Sequence, residues 1–205
     1  MSFPGLVAVC KVGTTRSAMV LSLAMVLAGC GTRAAVRDTF SLASTPIVER
    51  AAATSRQILV PEPSALKTHD GDQIVIRLSK SELQYLARAQ WGDRLPRIVQ
   101  DRLVQTFENT GKVAGVGKPG QGLAIDYQVI TEIRAFEIST NGPATAVVEI
   151  FAKVLNDRNG TVQTQKAFRA VAPVRGTGNP AFVSALDAAF AQVASDIVGW
   201  TLASI

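Results

Sequence analysis

The chain has 205 residues, of which 47% are hydrophobic and 18% charged, a composition typical of a globular protein and unlike that of a disordered one. The length favours a single domain with a substantial core. Of the 21 basic residues, Lys11 and Arg16 lie in a leader segment, leaving 19 against 16 acidic residues, a charge of +3. No long basic run occurs in the remainder, so nucleic acid is not an expected partner.

The leader, residues 1–29, is predicted to be a secretion signal. Lys11 and Arg16 form a positive n-region, and residues 18–28 form an apolar h-region. This run lies within the usual length of about 7–15 residues for an h-region, and it is shorter than the roughly 20 apolar residues of a membrane-spanning helix. The sequence therefore predicts export from the cytoplasm.

The h-region is followed by Leu27-Ala28-Gly29-Cys30, which resembles the lipobox of bacterial lipoproteins. In that motif the cysteine sulfur receives a diacylglyceryl group, and the amine freed by cleavage is then acylated. Several acyl chains hold a protein to a bilayer effectively permanently. Cys30 is therefore the predicted lipidation site. Gly31 replaces the aspartate that would retain such a protein in the inner membrane, so we expect an outer-membrane lipoprotein facing the periplasm.

Residues 30–38 are expected to be a lipidated tether, and 39–205 the folded domain. The first predicted strands are 39–43, 57–60 and 73–78, where apolar and polar residues alternate or turn residues bound a short apolar run.

The next segment has the periodicity of an amphipathic helix. Asp93 is predicted to cap a helix that runs to about 109, with Pro96 in its first turn and Gly111 at its end. Its apolar stripe comprises Leu95, Ile98, Val99, Leu103 and Phe107. A glycine-rich loop, 115–122, leads to the next strand.

Three long strands are predicted after this loop. The first begins at Leu123 and continues to about Ile138, with a bulge near Ala135 because the parity of its apolar residues changes there. A turn at 141–143 precedes strand 144–155, and loop 157–160 joins that strand to 161–172 as a hairpin. Strand 144–155 has one fully apolar face, formed by Ala146, Val148, Ile150, Ala152 and Val154. Its other face mixes apolar and charged residues.

The last predicted element is a helix with Asn179 as its cap and Pro180 in its first position. Apolar residues then recur every three or four positions: Phe182, Leu186, Ala189, Phe190, Val193, Ile197 and Trp200. The expected fold class is α+β, a two-layer domain with two amphipathic helices packed on a mostly antiparallel sheet.

The sequence contains few candidate catalytic or metal-binding residues. His69 is the only histidine, and its position among turn residues predicts a turn or surface site with no second histidine to share a metal. Asp70 and Asp72 lack the spaced acidic series of a calcium loop. The glycines of 115–122 follow a helix and precede a strand, the reverse of a phosphate-binding loop. No serine lies in a nucleophile-elbow setting, and no thiol remains for nucleophilic catalysis. Together with the missing metal-ligand and phosphate-loop patterns, this leads us to expect no enzyme, metal or cofactor.

Several segments, spread in order over about 39–202, resemble the auxiliary lipoproteins of ABC-type transport systems, the PqiC-like family. They are Phe40-Ser41-Leu42, Ile74-Val75-Ile76-Arg77-Leu78, Leu83-Gln84-Tyr85 followed by Trp91 and Leu95, Leu123-Ala124-Ile125, 147–155, Phe168, Pro173 and Val198-Gly199-Trp200. Lys80-Ser81-Glu82 departs from the more apolar sequence expected there.

The resemblance implies a fold similar to the amino-terminal domain of TolB. It also implies a role beside a mammalian-cell-entry (MCE) type lipid transporter, whose partners are a periplasmic tunnel protein and an ABC permease. Family members can form rings, so a homo-oligomeric ring is a further expectation.

The leading hypothesis is a lipid-anchored docking component without catalytic activity. Tyr85 and Trp91 are candidate partner contacts, since aromatic side chains often anchor interfaces, and Phe151 on the mixed strand face is a third. The alternative for Tyr85 and Trp91 is that both cover the core beneath the first helix. Two other hypotheses are a module that holds a lipid tail between helix and sheet, and an assembly lipoprotein for an outer-membrane pore.

Overall fold

The computed structural model describes residues 37–43, 48, 52–122 and 124–205. Arg37–Ile205 form one compact unit. The predicted secretion signal, Cys30, tether residues 31–36 and Leu123 lie outside the described residues, so the predictions made for them stay predictions.

The described residues form nine strands and two helices. In chain order they are β1 (Asp38–Phe40), β2 (Gln57–Leu59), β3 (Ser64–Ala65), β4 (Gln73–Arg77), β5 (Leu83–Trp91), α1 (Leu95–Thr110), β6 (Gly115–Gly117), β7 (Tyr127–Ser139), β8 (Thr145–Asn156), β9 (Val162–Pro173) and α2 (Gly178–Ser204). The α+β class and its two helices are as predicted.

The sheet is built around β7. On one edge of β7, strands β2, β3 and β4 follow one another and all pair with it in parallel. On the other edge β8 pairs antiparallel, and β9 continues antiparallel from β8. The prediction of a mostly antiparallel sheet therefore needs correction, because the sheet is mixed. Helix α1 lies between β4 and β7 in the chain, and such a crossover returns the chain in the same direction.

Strands β8 and β9 agree with their predictions within one residue, whereas β7 begins at Tyr127, four positions after the predicted start. A register shift between Ile133 and Ala135 marks the expected bulge in β7. Every second residue of β8 is buried, from Ala146 to Val154, and the residues between them are half-buried. The glycine-rich loop is shorter than predicted, because its first residues form β6 and pair in parallel with β2.

Strand β5 was not predicted, because its alternation is interrupted. Its pairing with β4 shifts between Gln73, opposite Gln90, and Val75, opposite Tyr85. Within this irregularity Arg88 has a φ of 57°, in the left-handed region that side chains rarely adopt. The extra residues break the period of two on which a strand prediction depends.

The helix starts differ by two positions or fewer from those predicted. Helix α1 begins at Leu95 after Arg94, and the Asp93 carboxylate accepts a 2.7 Å hydrogen bond from the Arg94 backbone N–H rather than capping the helix. Helix α2 begins at Gly178. Asn179 lies inside its first turn, where the side-chain amide donates to the Ala87 carbonyl at 3.1 Å.

The core lies between the two helices and one face of the sheet. Trp91 packs edge-on against Phe136, with ring centroids 5.8 Å apart, and Phe136 contacts Phe190 of α2 at the same separation. Among the described residues, α2 is the one helix long and apolar enough to cross a membrane. Eleven of its residues are buried in the domain, so it serves here as the core helix.

Candidate interaction surfaces

The sheet has a second face, which the helices do not cover. Because side chains alternate along a strand, the residues between the buried ones of β8 point away from α2. The strand registers extend this face across the sheet: Phe151 pairs with Glu132, Val147 with Glu137, Glu137 with Val75, and Val75 with Tyr85. We term it the outer face. It brings Phe151 and Tyr85 to one side of the domain.

Phe151 lies midway along β8 on the outer face and is half-buried. The Arg134 guanidinium lies over its ring at 4.2 Å from the centroid, and the Lys153 ammonium at 5.7 Å. Both distances are within the range of cation–π attraction. Arg134 also forms an ion pair with Glu132 at 3.4 Å. The ring therefore has a cationic border, a combination that suits an interface with both apolar and acidic groups.

The two aromatic residues proposed near β5 have different environments. Tyr85 is 46% exposed on the outer face, so it is available for contact with another molecule. Trp91 is 1% exposed and packs in the core, as the alternative hypothesis for it stated. The difference follows from the irregularity in β5, which places the two ends of this strand in different surroundings.

His69 is buried rather than on the surface, which corrects its prediction. It lies in a turn as expected, but it is only 4% exposed and sits beside Glu137, which is 3% exposed. The His69 Nε2 is 4.0 Å from Glu137 Oε2. Arg77 donates two hydrogen bonds to the Glu137 carboxylate, one of them from Nη2 at 3.0 Å. Arg77 thus neutralises a carboxylate that burial would otherwise destabilise.

Burial lowers the pKa of His69 below its ordinary value of 6.5, since the charged imidazolium is poorly solvated there. The Glu137 carboxylate opposes this shift and the Arg77 guanidinium adds to it. The imidazole is therefore neutral at pH 7. Its Nδ1 is buried without a hydrogen-bond partner. The sequence did not indicate this cluster, because the chain between β3 and β4 brings His69 to Glu137 from 68 positions away.

The hollows of the described surface are open and shallow. One of about 300 Å³ is lined mainly by polar residues: Ser41, Gly92, Asp93, Ile98, Asp101, Arg102 and Gln105. Another, of about 90 Å³, lies beside Phe151 on the outer face. Between α2 and the sheet, by contrast, Phe190 and Ile150 are fully buried. A hollow of about 270 Å³ opens between β9 and the start of α2, and it is lined by Ala172, Pro173, Arg175, Ala181, Ser184, Ala185 and Ala188. The lipid-tail hypothesis, which requires a cavity of several hundred cubic ångströms between helix and sheet, therefore has its candidate site there and not beside Phe190.

Among the described residues, no group of three or more histidine, cysteine, aspartate or glutamate side chains is placed to hold a metal ion. The fold and surfaces thus define a two-layer α+β domain with one sheet face under its helices and the other partly open.

A family model described as "ABC-type transport auxiliary lipoprotein component" matches residues 40–198. The chain therefore belongs to this family, and the resemblance noted in its sequence is confirmed. The family description names an auxiliary component of ABC-type transport, and this description is the starting point for the proposal made below.

Solved structures share the fold. Protein XCC0632 of Xanthomonas campestris is 28% identical, with a TM-score of 0.76 over 82% of this chain and 95% of that one. A crystal structure of an uncharacterized protein, 15% identical, has a TM-score of 0.65 over 80% of this chain and 97% of the other. An uncharacterized protein of Bradyrhizobium diazoefficiens is 28% identical over 172 residues. That match covers 83% of this chain but 46% of the relative, so the chain spans about half the relative's length.

Proposed function

We propose that this protein is a lipid-anchored docking component of an MCE-type lipid transport system. Cys30 carries the acyl chains, and the domain stands on the periplasmic side of the outer membrane. Its partners are the periplasmic tunnel protein and, through it, the ABC permease. The domain contributes contacts rather than catalysis, and several copies form a ring around the tunnel.

The outer face is accessible at Phe151 and at Tyr85 but covered between them, where Glu137 and Val75 are buried, and its two accessible parts carry the docking proposal. Phe151 and Tyr85 are accessible there, although each lies on a sheet whose opposite face is fully packed. Side chains held by a rigid sheet lose little conformational freedom on binding, which favours association. Family membership supports a transporter as the partner. Trp91 has no place in this proposal, because it is buried in the core.

The anchor is tested by Cys30→Ser. The substituted protein is expected to leave the membrane fraction as a soluble form or to accumulate uncleaved, because it lacks the acylated sulfur. Fractionation of envelopes and mass spectrometry of the first mature residue measure this. Recovery of a cleaved, membrane-bound Cys30→Ser protein would contradict the anchor.

The docking surface is tested by placing a photo-crosslinking amino acid at Phe151 or Tyr85 of the lipidated protein in envelopes. Both positions are expected to yield the tunnel protein. Ala188 is the matched control, since it is exposed on α2 on the opposite side of the domain. Equal yields from all three positions would count against the outer face, and products containing only barrel-assembly proteins would favour the assembly-lipoprotein alternative.

A further inference from the structure

We infer that one end of the domain is a surface for anionic lipid headgroups, formed by Arg37, Lys80, Arg88 and Arg175. This inference rests on the proposed anchor at Cys30. We term this surface the anchor end.

The strand registers bring the relevant chain segments to one end of the sheet. Arg77 at the end of β4 lies opposite Leu83 at the start of β5 and beside Ser139 at the end of β7. Thr145 at the start of β8 pairs with Pro173 at the end of β9. Loops 78–82, 140–144 and 174–177 therefore all lie at this end.

Local contacts position the turn that contains Lys80 and the first turn of α2, which follows Arg175. Lys80 lies in the β4–β5 turn, where its carbonyl accepts a 3.1 Å hydrogen bond from Arg77 Nη1. Asn179 in the first turn of α2 donates to the carbonyl of Ala87. This bond joins the segment that follows Arg175 to the residue that precedes Arg88.

The first described strand also runs away from this end. Strand β1 runs parallel to β5, with Asp38 beside Ala89 and Phe40 beside Trp91. The chain before Asp38, beginning with Arg37, therefore approaches from the side on which β5 starts. Arg37 and Arg88 themselves lie near the level of Gln73 at the start of β4, inward of the loop that holds Lys80. Seven residue steps separate Cys30 from Arg37, which limits the span to about 25 Å even when fully extended. An acylated Cys30 would thus keep the bilayer near this part of the domain.

The charge of the anchor end is complementary to an anionic bilayer. Arg37, Lys80, Arg88 and Arg175 are all exposed. Within the part of the chain that the structure describes, none of the four has an ion pair. Loops 140–144 and 174–177 contain no acidic residue. Asp38 and Glu82 are the nearby acidic side chains, so a positive excess remains.

The opposite end of the domain differs in this respect. There Arg158 forms an ion pair with Asp126 at 2.8 Å, and Arg56 approaches the same carboxylate at 3.6 Å. Arg158 and Arg56 at the far end are thus neutralised within the domain. At the anchor end Arg77 is neutralised by Glu137, whereas Lys80 and Arg175 have no ion pair among the described residues and can meet phosphate groups. Each Lys or Arg near an anionic membrane surface contributes about a fivefold preference for it.

The test uses the acylated protein with Ser81→Cys as a fluorophore site, in phosphatidylcholine vesicles with or without phosphatidylglycerol. Mass spectrometry of the same sample first verifies acylation of Cys30, so that a failed anchor is recognised separately. Energy transfer from the fluorophore to a headgroup-labelled lipid reports how close the anchor end lies to the bilayer. We expect transfer to rise with phosphatidylglycerol and to lose this dependence in about 1 M salt, where screening is nearly complete.

The double substitution Lys80→Glu with Arg175→Glu should reduce the population of molecules whose anchor end lies against the bilayer in response to phosphatidylglycerol by roughly tenfold or more. The matched control is Lys112→Glu with Lys166→Glu, an equal charge change at exposed positions away from the anchor end, and it should retain the dependence. Energy transfer in the acylated wild type that does not depend on phosphatidylglycerol would overturn the inference. The inference would also be overturned if the control pair lost the phosphatidylglycerol dependence to the same extent. It would be overturned as well if the wild-type anchor end bound an acidic envelope protein and showed no dependence on the lipid.

Discussion

At the scale of single residues, the most informative group is the buried Glu137 with its partner Arg77. Glu137 is 3% exposed, whereas the Arg77 side chain is 30% exposed. Because removal of Arg77 leaves a buried charge without a partner, we expect Arg77→Ala to lower the free energy of unfolding by about 2–3 kcal/mol, somewhat less than for a fully buried pair. Urea denaturation measures the change.

Arg94→Ala provides the matched control. Arg94 forms ion pairs with Glu62 and Asp70, but all three side chains are exposed to solvent. Its replacement should cost less than about 1 kcal/mol. If Arg77→Ala and Arg94→Ala lowered the free energy of unfolding by equally small amounts, Arg77 would not be needed to neutralise the buried Glu137. Combining Arg77→Ala with Glu137→Gln should restore part of the lost stability, since the buried charge is then absent.

His69 makes the stability of the domain dependent on pH. Its pKa is lowered in the folded state by burial, so on acidification the unfolded chain takes up a proton before the folded chain does. The stabilising contribution is therefore complete above about pH 6.5 and is lost as the pH falls through 6.5 toward the folded pKa. Denaturation at a series of pH values should show that His69→Gln loses less unfolding free energy on acidification than the wild type does. Since the chain has no other histidine, the difference between the two proteins isolates this group. Parallel curves for the two proteins would refute the assignment.

At the scale of elements, the end of α1 requires a left-handed backbone conformation, and the glycine in the sequence predicts it. Gly111 has a φ of 58°, and its N–H donates to the Glu108 carbonyl. A Cβ at this position would meet no atom within 4 Å, so the cost of Gly111→Ala comes from the backbone alone and should be about 1 kcal/mol. Gly71→Ala, also free of neighbours but without a positive φ, is the control and should be close to neutral. Thermal or urea unfolding of both variants makes the comparison, and equal losses would contradict a left-handed requirement at Gly111.

Strand β5 shows the opposite situation. Its irregular pairing, with Arg88 in the left-handed region, removes the alternation by which strands are recognised. The same irregularity turns Tyr85 toward solvent and Trp91 toward the core. Of these two predicted partner contacts, Tyr85 is therefore accessible on the surface of the domain and Trp91 is not. No local pattern distinguishes them, because the distinction arises from the neighbouring strands β1 and β4.

At the scale of the whole molecule, the proposed roles occupy different parts of the same domain. The helices and one sheet face form the core, the outer face carries the proposed docking residues, and the anchor end carries the basic side chains proposed to meet lipid headgroups. A domain of this kind can meet a membrane at one end while offering a sheet face to a protein partner. The two surfaces can be tested independently, since substitutions at Lys80 and Arg175 leave Phe151 unchanged.

The sequence by itself determined the features that depend on local periodicity or on a single residue's conformational freedom. These include both helices, the long β7–β9 strands with their bulge and hairpin, and the glycine that ends α1; it also carried the segments that identify the family. Tertiary structure alone decided the parallel pairing along β7, the existence of β5, and the burial of His69 against Glu137. Each of these depends on segments far apart in the chain, whose contacts are formed by the packing of the whole domain and leave no periodic trace in either segment.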